Sequence, residues 1–320
     1  MSETREIYLK SKARSNSLWL SQLQPIAQVA LRFPFLPLFR PGVRRLLALV
    51  EPAGRLFIKS HPSKALIHSG ESITILSANL WHDWPLHRKL TQRLETVAGL
   101  IEAESVDIAL LQEVARTRDL RADQWLGERL GMAYVYSRAN GHQGAIGFEE
   151  GLAVFSRYPL NSPRLKQLGS GTNPFVRRLA LGATIDTPGG SMVATSVHLS
   201  LWHRQNAIQM TDLQDWSAAI ADKRPMLIGG DFNSHENTSQ IIRAKTHWLD
   251  IFRQLHPDGD GTTHELRWPW GGVLRRRRLD YLFLQPGEQP WKILEVRHLD
   301  SPEGPHSDHR ALLARLAPVN

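Results

Sequence analysis

The stretch LIGGDFNSH at 227–235 sets an aspartate and an asparagine two residues apart, directly after a short apolar run. At the mouth of a buried strand such a pair aims a carboxylate and an amide at one point. Similar polar residues recur along the chain. Asn79 closes one apolar run, Gln112 and Glu113 close another, and His198 ends a third. Asp280 lies in RRLDYLF, and Asp308 and His309 lie in HSDHR. Each has an ordinary alternative: Asn79 as a turn residue, Glu113 as a surface acid, His198 as a satisfied polar group, Asp231 as a helix N-cap. Together with Asn233 they form the set that phosphoester hydrolysis needs. Carboxylates and an amide hold a hard divalent cation, imidazoles meet a phosphate, and an acid orients one imidazole.

The elements that must position these residues read as layered α/β. SITILSANL is expected to be a strand, and HRKLTQRLETVAGLIEAE a helix with Leu90, Leu94, Val97 and Ile101 on one face. VDIALLQEV follows as a nearly continuous apolar run, the pattern of a strand covered on both faces, which completes a β-α-β unit. GLAVFSRYP, LALGATIDT, SMVATSVHLS, PMLIGGDF, RLDYLFLQ and RALLARLA resemble further strands, with a helix over RQNAIQMTDLQDWSAAIAD. Strand ends converge in such layers, which places the polar residues on one edge.

Residues 1–70 differ in texture from the 71–320 domain. SLWLSQLQPIAQVALRF and PGVRRLLALVEPAGRLF predict two amphipathic helices around FPFLP, a mainly helical, partly apolar and basic extension. Two roles stay open: a helical pair packed on the main domain, or an element over 15–58 lying on an anionic membrane with Trp19, Phe33, Phe35 and Phe39 inserted.

The chain has 320 residues, 39 Lys plus Arg against 31 Asp plus Glu, and a net charge of +8, which favours an anionic partner. With no cysteine, disulfides, thiolate zinc sites and cysteine nucleophiles are excluded. Neither HExxH nor GxSxG occurs, so zinc-protease and serine-hydrolase chemistry have no motif to rest on. No signal peptide or membrane span is read, which makes the expected location cytoplasmic, with peripheral membrane association through the extension as an option.

In this order, SANLW, LLQEV, GLAVFSRYPL, SVHLS, GGDFNS, RRLDYLF and SDHR resemble the endonuclease/exonuclease/phosphatase family of metal-dependent phosphoesterases, over about residues 72–318. The resemblance implies a DNase I-like, four-layered α/β/β/α sandwich with the site at one edge. It also implies Mg²⁺, or Mn²⁺ in its place, held by Glu113 with Asn79 and Asp308. By the same resemblance, Asp231 orients or deprotonates the attacking water, and Asn233 hydrogen-bonds the phosphate. His309 meets phosphoryl oxygens with Asp280 behind it, and His198 stabilises charge or protonates the leaving oxygen.

His198 stands where the abasic-site endonucleases typically have a different pattern. It resembles the branch of secreted DNases, sphingomyelinases, inositol-phosphate phosphatases and tyrosyl-DNA phosphodiesterases. The expected activity is hydrolysis of a phosphodiester, with nucleic acid first because of the charge and the RRRR run at 275–278. A phospholipid or inositol phosphate is the alternative, and a binding module that has lost turnover is the third reading. Arg278 and its neighbours are expected to line the cleft, or else to be edge-strand charges. Trp268 and Trp270, in HELRWPWGGV, either stack on bases, enter a lipid interface or plug the loop against the domain, and the plug is the expectation. Arg157 is read as structural, and His82, His87, His142 and His203 as surface groups.

Overall fold

The computed structural model describes residues 4–8, 40–49, 51, 55–59, 72–169, 176–301 and 304–319. The strands along the first half are β1 (Thr4–Tyr8), β2 (Arg55–Lys59), β3 (Ile73–Asn79), β4 (Ile108–Thr117), β5 (Ala133–His142), β6 (Phe148–Ser156), β7 (Leu160–Leu168) and β8 (Arg178–Thr187). The second half adds β9 (Gly190–His198), β10 (Met226–Asp231), β11 (Leu249–Asp250), β12 (His264–Arg267), β13 (Val273–Arg277), β14 (Asp280–Gln285), β15 (Trp291–Leu299) and β16 (Ala311–Pro318). They form an eight-stranded sheet in the order β1-β2-β5-β6-β4-β3-β16-β15 and a six-stranded sheet in the order β11-β14-β10-β9-β8-β7. The hairpin β12-β13 stands apart from both.

The expected β-α-β unit is present. β3 and β4 pair in parallel, joined through the helix Leu90–Ala103, whose Leu90, Leu94, Val97, Ala98 and Ile101 are buried at helical spacing. Every residue of β3 is buried, as its apolar run requires. The second sheet has a matching parallel pair, β9 and β10, joined through the helix His203–Ala221.

Three apolar clusters account for the core. One mixes inward residues of both sheets, such as Ile75 and Leu110 from the first with Leu181 and Leu227 from the second. Another joins the first sheet to the helices Leu90–Ala103 and Ala122–Leu130, and the third joins the second sheet to His203–Ala221. Gln112 ties the sheets together by donating from Nε2 to Ser196 Oγ at 2.9 Å.

Of the two helices expected in the N-terminal extension, the first, over SLWLSQLQPIAQVALRF, lies outside the described residues. The second runs from Arg40 to Leu49, and RLFIK, expected to continue it, becomes β2 instead. β2 pairs with β5, and β1 pairs with β2, so the extension lengthens the first sheet by two strands. Arg177 donates to the Leu49 carbonyl at 2.7 Å and Arg138 to the Ala48 carbonyl at 3.5 Å, which satisfies the helix's last turn. Trp19, Phe33, Phe35 and Phe39, the side chains expected to insert in a membrane, lie outside the described residues. Among the described residues no helix is long and apolar enough to cross a membrane.

Candidate active site

Register sets the first row of the site. Asp231, the last residue of β10, pairs with His198 on β9 and with Asp280 on β14, so three residues distant in sequence stand side by side at one sheet edge. The two glycines before Asp231 permit this. Gly230 has φ +154°, and a Cβ there would meet the Val197 carbonyl oxygen at 2.0 Å, while one on Gly229 would meet Leu110 Cδ1 of the other sheet at 2.7 Å.

The facing sheet delivers Asn79 and Glu113. The pairing of β4 with β6 is interrupted by a bulge between Leu111 and Val114, and Glu113 there takes φ +54°, a left-handed conformation that a glutamate adopts only under constraint. The bulge turns Gln112 into the space between the sheets and Glu113 toward the site. Asn79 Nδ2 then spans the two sheets, donating to Glu113 Oε1 at 3.1 Å and to Asp231 Oδ2 at 3.2 Å. Asn233, also left-handed at φ +50°, gives Asp231 two more donors: its N–H to Oδ1 at 2.9 Å and its Nδ2 to Oδ2 at 3.2 Å. The same Nδ2 donates to the Leu199 carbonyl at 3.0 Å.

The last loop brings Asp308 and His309 to the second row. His309 Nδ1 lies 2.8 Å from Asp280 Oδ2 in a buried pair. Asp231, Asp280 and His309 place ligand-type atoms within 4.8 Å of one another, and so do His264, Asp308 and His309. All eight expected site residues thus gather at one edge of the two sheets: Asn79, Glu113, Asp308 and His309 from the strand ends and loops of the first sheet, and His198, Asp231, Asn233 and Asp280 from those of the second.

Burial and neighbouring charge set three distinct protonation states. Burial, opposed by His309 and reinforced by Asp280, lifts the Asp231 carboxyl from its ordinary 3.8 to about 7. Burial disfavours an imidazolium at His309, but Asp280, Asp231 and Asp308 outweigh it and hold its pKa at about 10. Burial, with Arg178, His309 and His82 adding to it, pushes His198 well below its ordinary 6.5. At neutral pH the site therefore pairs a charged His309 with a neutral His198, and places between them a carboxyl poised near its midpoint. Such a carboxyl is suited to take and return a proton. His198 Nε2 stands 3.6 Å from Asp231 Oδ2.

A cleft of about 730 Å³ opens over this edge. Glu113, Asn233, His198 and His309 line it, joined by Arg178, Glu150 and His264. Arg178 and His264 escaped sequence reading, since both begin strands in ordinary-looking context, and Glu150 carried no assigned role. Burial raises the Glu150 carboxyl, and Asn140 donates to it. His82, read as a surface group, is half-buried in the cleft. Its N–H donates to Glu113 Oε2 at 3.1 Å, and its Nε2 lies 3.4 Å from the same oxygen.

Two other expectations are corrected. Arg278 does not line the cleft: it is 2% exposed, bonded to both oxygens of Asp250 at 2.8 and 2.6 Å and to Glu236 at 3.3 Å. Its neighbour Arg277 lines the cleft instead, because strand alternation turns adjacent arginines to opposite sides. Trp268 and Trp270 plug nothing. They are 44% and 77% exposed and stack on each other, ring centroids 5.0 Å apart. Arg157, as expected, has a structural contact, donating from Nε to the Val106 carbonyl at 2.8 Å.

Residues 76–309 match the sequence profile of the Endonuclease/Exonuclease/phosphatase family. The chain belongs to that family. Among curated proteins it is similar to the uncharacterized protein YbhP of Escherichia coli (strain K12), 25% identical over 181 residues that span 51% of this chain and 68% of that protein. Among solved structures it resembles an endonuclease/exonuclease/phosphatase from Beutenbergia cavernae, with a TM-score of 0.63, 22% identity, and coverage of 77% of this chain and 72% of the other. The human Nocturnin catalytic domain with bound sulfate anion aligns with a TM-score of 0.61 at 20% identity, over 78% of this chain and 94% of that domain. TDP2 of D. rerio, complexed with single strand DNA product, gives 0.61 at 15%, over 77% and 99%. At these identities the structural likenesses speak for the fold. Members of this family are generally hydrolytic phosphoesterases.

Proposed function

We propose that the protein is a divalent-metal-dependent phosphodiesterase built on a four-layered α/β/β/α sandwich. The observation that carries this reading is the convergence on one cleft of the His198–Asp231–Asp280 row, the Asp280–His309 pair and Glu113 on its bulge.

The donor set fits a hard cation. Glu113, Asp231 and Asp308 crowd the site with oxygen ligands, and among the described residues none of them has a lysine or arginine within ion-pair distance. Glu113, with Asn79 and Asp308, would hold Mg²⁺ or Mn²⁺, which when bound neutralises charge on the phosphoryl oxygens. The chain's own residues supply the rest. Asp231 accepts a proton from the attacking water as its oxygen bonds to phosphorus, and Asn79 and Asn233 fix its two oxygens. The charged His309, held by Asp280, stabilises the negative charge that gathers on the phosphoryl group. His198, neutral at this depth, donates a hydrogen bond to the leaving oxygen. A phosphate-binding role for Asn233 requires its amide to leave the Leu199 carbonyl.

For the substrate, net charge and the fold shared with the DNA-bound TDP2 support nucleic acid. The lining of the cleft supports a phospholipid phosphodiester better. Ile146, Leu201, Leu266 and Leu279 face it beside the aromatic Trp84 and Phe148, and the arginine run contributes Arg277 but not Arg278. The aliphatic part of this lining offers a lipid's glycerol and acyl carbons contact that it cannot offer a stacked base, and Trp84 and Phe148 suit either substrate.

The test is hydrolysis of single- and double-stranded DNA, RNA, phosphatidylglycerol, sphingomyelin, phosphatidylinositol phosphates and a chromogenic diester, with Mg²⁺, with Mn²⁺ and with EDTA, beside Asp231→Ala. Cleavage that needs metal and Asp231 supports the reading. Cleavage that survives in EDTA removes the metal, and an Asp231→Ala protein as active as the parent removes the mechanism.

A further inference from the structure

The hairpin β12-β13 forms one wall of the cleft and leaves most of its own surface unpartnered. By strand alternation, His264 and Leu266 face the candidate active site, while Glu265 and Arg267 face a neighbouring cleft of about 810 Å³. Its tip is a tight turn in which Trp268 N–H donates to the Gly272 carbonyl and Gly271 N–H to the Trp268 carbonyl. Gly271 and Gly272 take φ +95° and +80°, so the turn is set by backbone that glycine alone adopts freely, and it projects Trp268 and Trp270 outward. Leu266, Val273 and Leu274 are exposed beside them, which puts five large apolar side chains on the surface within residues 266–274. A patch of this kind marks an interaction surface.

Around that apolar tip the charge is one-sided. Arg267, Arg275, Arg276 and Arg277 stand against the single Glu265, which pairs with Arg267 and with Arg276. Among the described residues Arg275 and Arg277 have no carboxylate within ion-pair distance. Other exposed apolar residues lie on the same edge: Trp84 follows the strand end that carries Asn79, and Leu201 and Trp202 follow the one that carries His198. The mouth of the site is therefore flanked by apolar side chains from three separate loops.

We propose that the β12-β13 hairpin docks the protein on an anionic lipid bilayer, with Trp268 and Trp270 entering the headgroup region and Arg275 and Arg276 pairing with lipid phosphates. This rests on the phospholipid reading of the cleft. A bilayer fits better than a nucleic acid because Leu266, Val273 and Leu274 have no stacking function, whereas a membrane interface accepts aliphatic side chains, amphipathic indoles and snorkelling arginines together. Docked this way, the cleft opens toward the surface that holds its substrate.

The test uses the full-length protein with vesicles of phosphatidylcholine alone and of phosphatidylcholine mixed with phosphatidylglycerol. The parent is expected to sediment with the anionic vesicles and not with the neutral ones, and brominated acyl chains are expected to quench part of its tryptophan emission. Trp268→Ser/Trp270→Ser should bind about tenfold or more weakly and lose that part of the quenching. Arg275→Ser/Arg276→Ser should weaken binding by about fivefold per arginine. Both double variants should hydrolyse soluble bis(p-nitrophenyl) phosphate like the parent. If no form hydrolyses the soluble diester while the vesicle results hold, the phosphodiesterase reading fails and the docking surface stands. A parent that ignores anionic vesicles, an undiminished tryptophan variant, or quenching by single-stranded DNA in place of brominated lipid overturns the proposal. Should the tryptophan variant prove misfolded by circular dichroism, the parent's quenching and the arginine variant decide the matter.

Discussion

Replacing Asp280 by asparagine tests the electrostatics of the site with little change of shape. The amide oxygen can still accept from His309 Nδ1, so the 2.8 Å contact survives and only the charge is lost. His309 is held at about 10 against an ordinary 6.5, which corresponds to about 5 kcal/mol favouring the imidazolium. Burial works against that charge, and Asp280 does most to support it, with Asp231 and Asp308 behind it. Losing one adjacent carboxylate lowers the midpoint by roughly 1–3 pH units, so the variant's His309 should titrate at roughly 7–9. Two assays follow: the pH titration of ¹⁵N-labelled histidine by NMR, and kcat between pH 6 and pH 10. At pH 6 the variant should keep much of its activity. Near pH 9, where the parent imidazole is still charged and the variant's largely is not, the loss should approach that of removing a transition-state donor, roughly 100- to 1000-fold. The stability conferred by the raised pKa is present in full below 6.5 and fades as pH climbs through about 10 in the parent, but through the lower midpoint in the variant. An unchanged His309 titration, or a variant whose activity falls equally at every pH, would refute this account of the charge at His309.

Asp231→Asn should change the pH dependence of stability in a defined sense. A carboxyl raised from 3.8 to about 7 keeps in the folded state a proton that the unfolded chain releases, so the parent loses stability as pH rises through that window. Urea denaturation should show parent minus variant stability falling by on the order of 2–4 kcal/mol between pH 4 and pH 7.5. Mg²⁺ at about one hundred times its Kd should stabilise the parent by about 2.7 kcal/mol, seen as a rise in Tm, and Glu113→Gln should abolish the rise. Arg278→Ala should cost about 3 kcal/mol in urea denaturation, because the buried Asp250 loses its bidentate partner and keeps only Lys245 at 3.4 Å, while the folded fraction keeps its kcat.

Much of the site was legible because its residues end apolar runs that can only be buried strands. PMLIGGDF and VDIALLQEV announce both a strand and the polar residue at its end. What stayed hidden depends on register and on pairing between distant segments. RRRRLD gives no sign of which arginine faces Asp250 and which the cleft, since a shift of one residue exchanges the two sides. The left-handed Glu113 follows from a bulge, which LLQEV does not reveal. RLFIK reads equally well as the tail of an amphipathic helix until β5 offers it a partner. His82 and His264 entered the site through contacts made across 31 and 45 residues of sequence. No periodicity records such contacts.

The charge pattern ties these pieces together. A protein with a net charge of +8 nonetheless gathers several carboxylates without a Lys or Arg partner at one sheet edge, where Asn79 Nδ2 holds Glu113 and Asp231 together. Carboxylates so placed repel one another unless a proton or a cation intervenes, and at Asp231 the repulsion from Asp280 and Glu113 adds to burial, the larger cause, in raising its pKa. A divalent cation beside Glu113 would answer the same repulsion. It would lower the Asp231 midpoint toward the usual carboxylate range and free the carboxylate to accept the water's proton at neutral pH. On this argument the metal and the base are coupled: the acidic limb of the pH–rate profile should move to lower pH as Mg²⁺ is raised. A limb that stays fixed over a Mg²⁺ titration would show that Asp231 does not sense the cation, and would separate the two halves of the site.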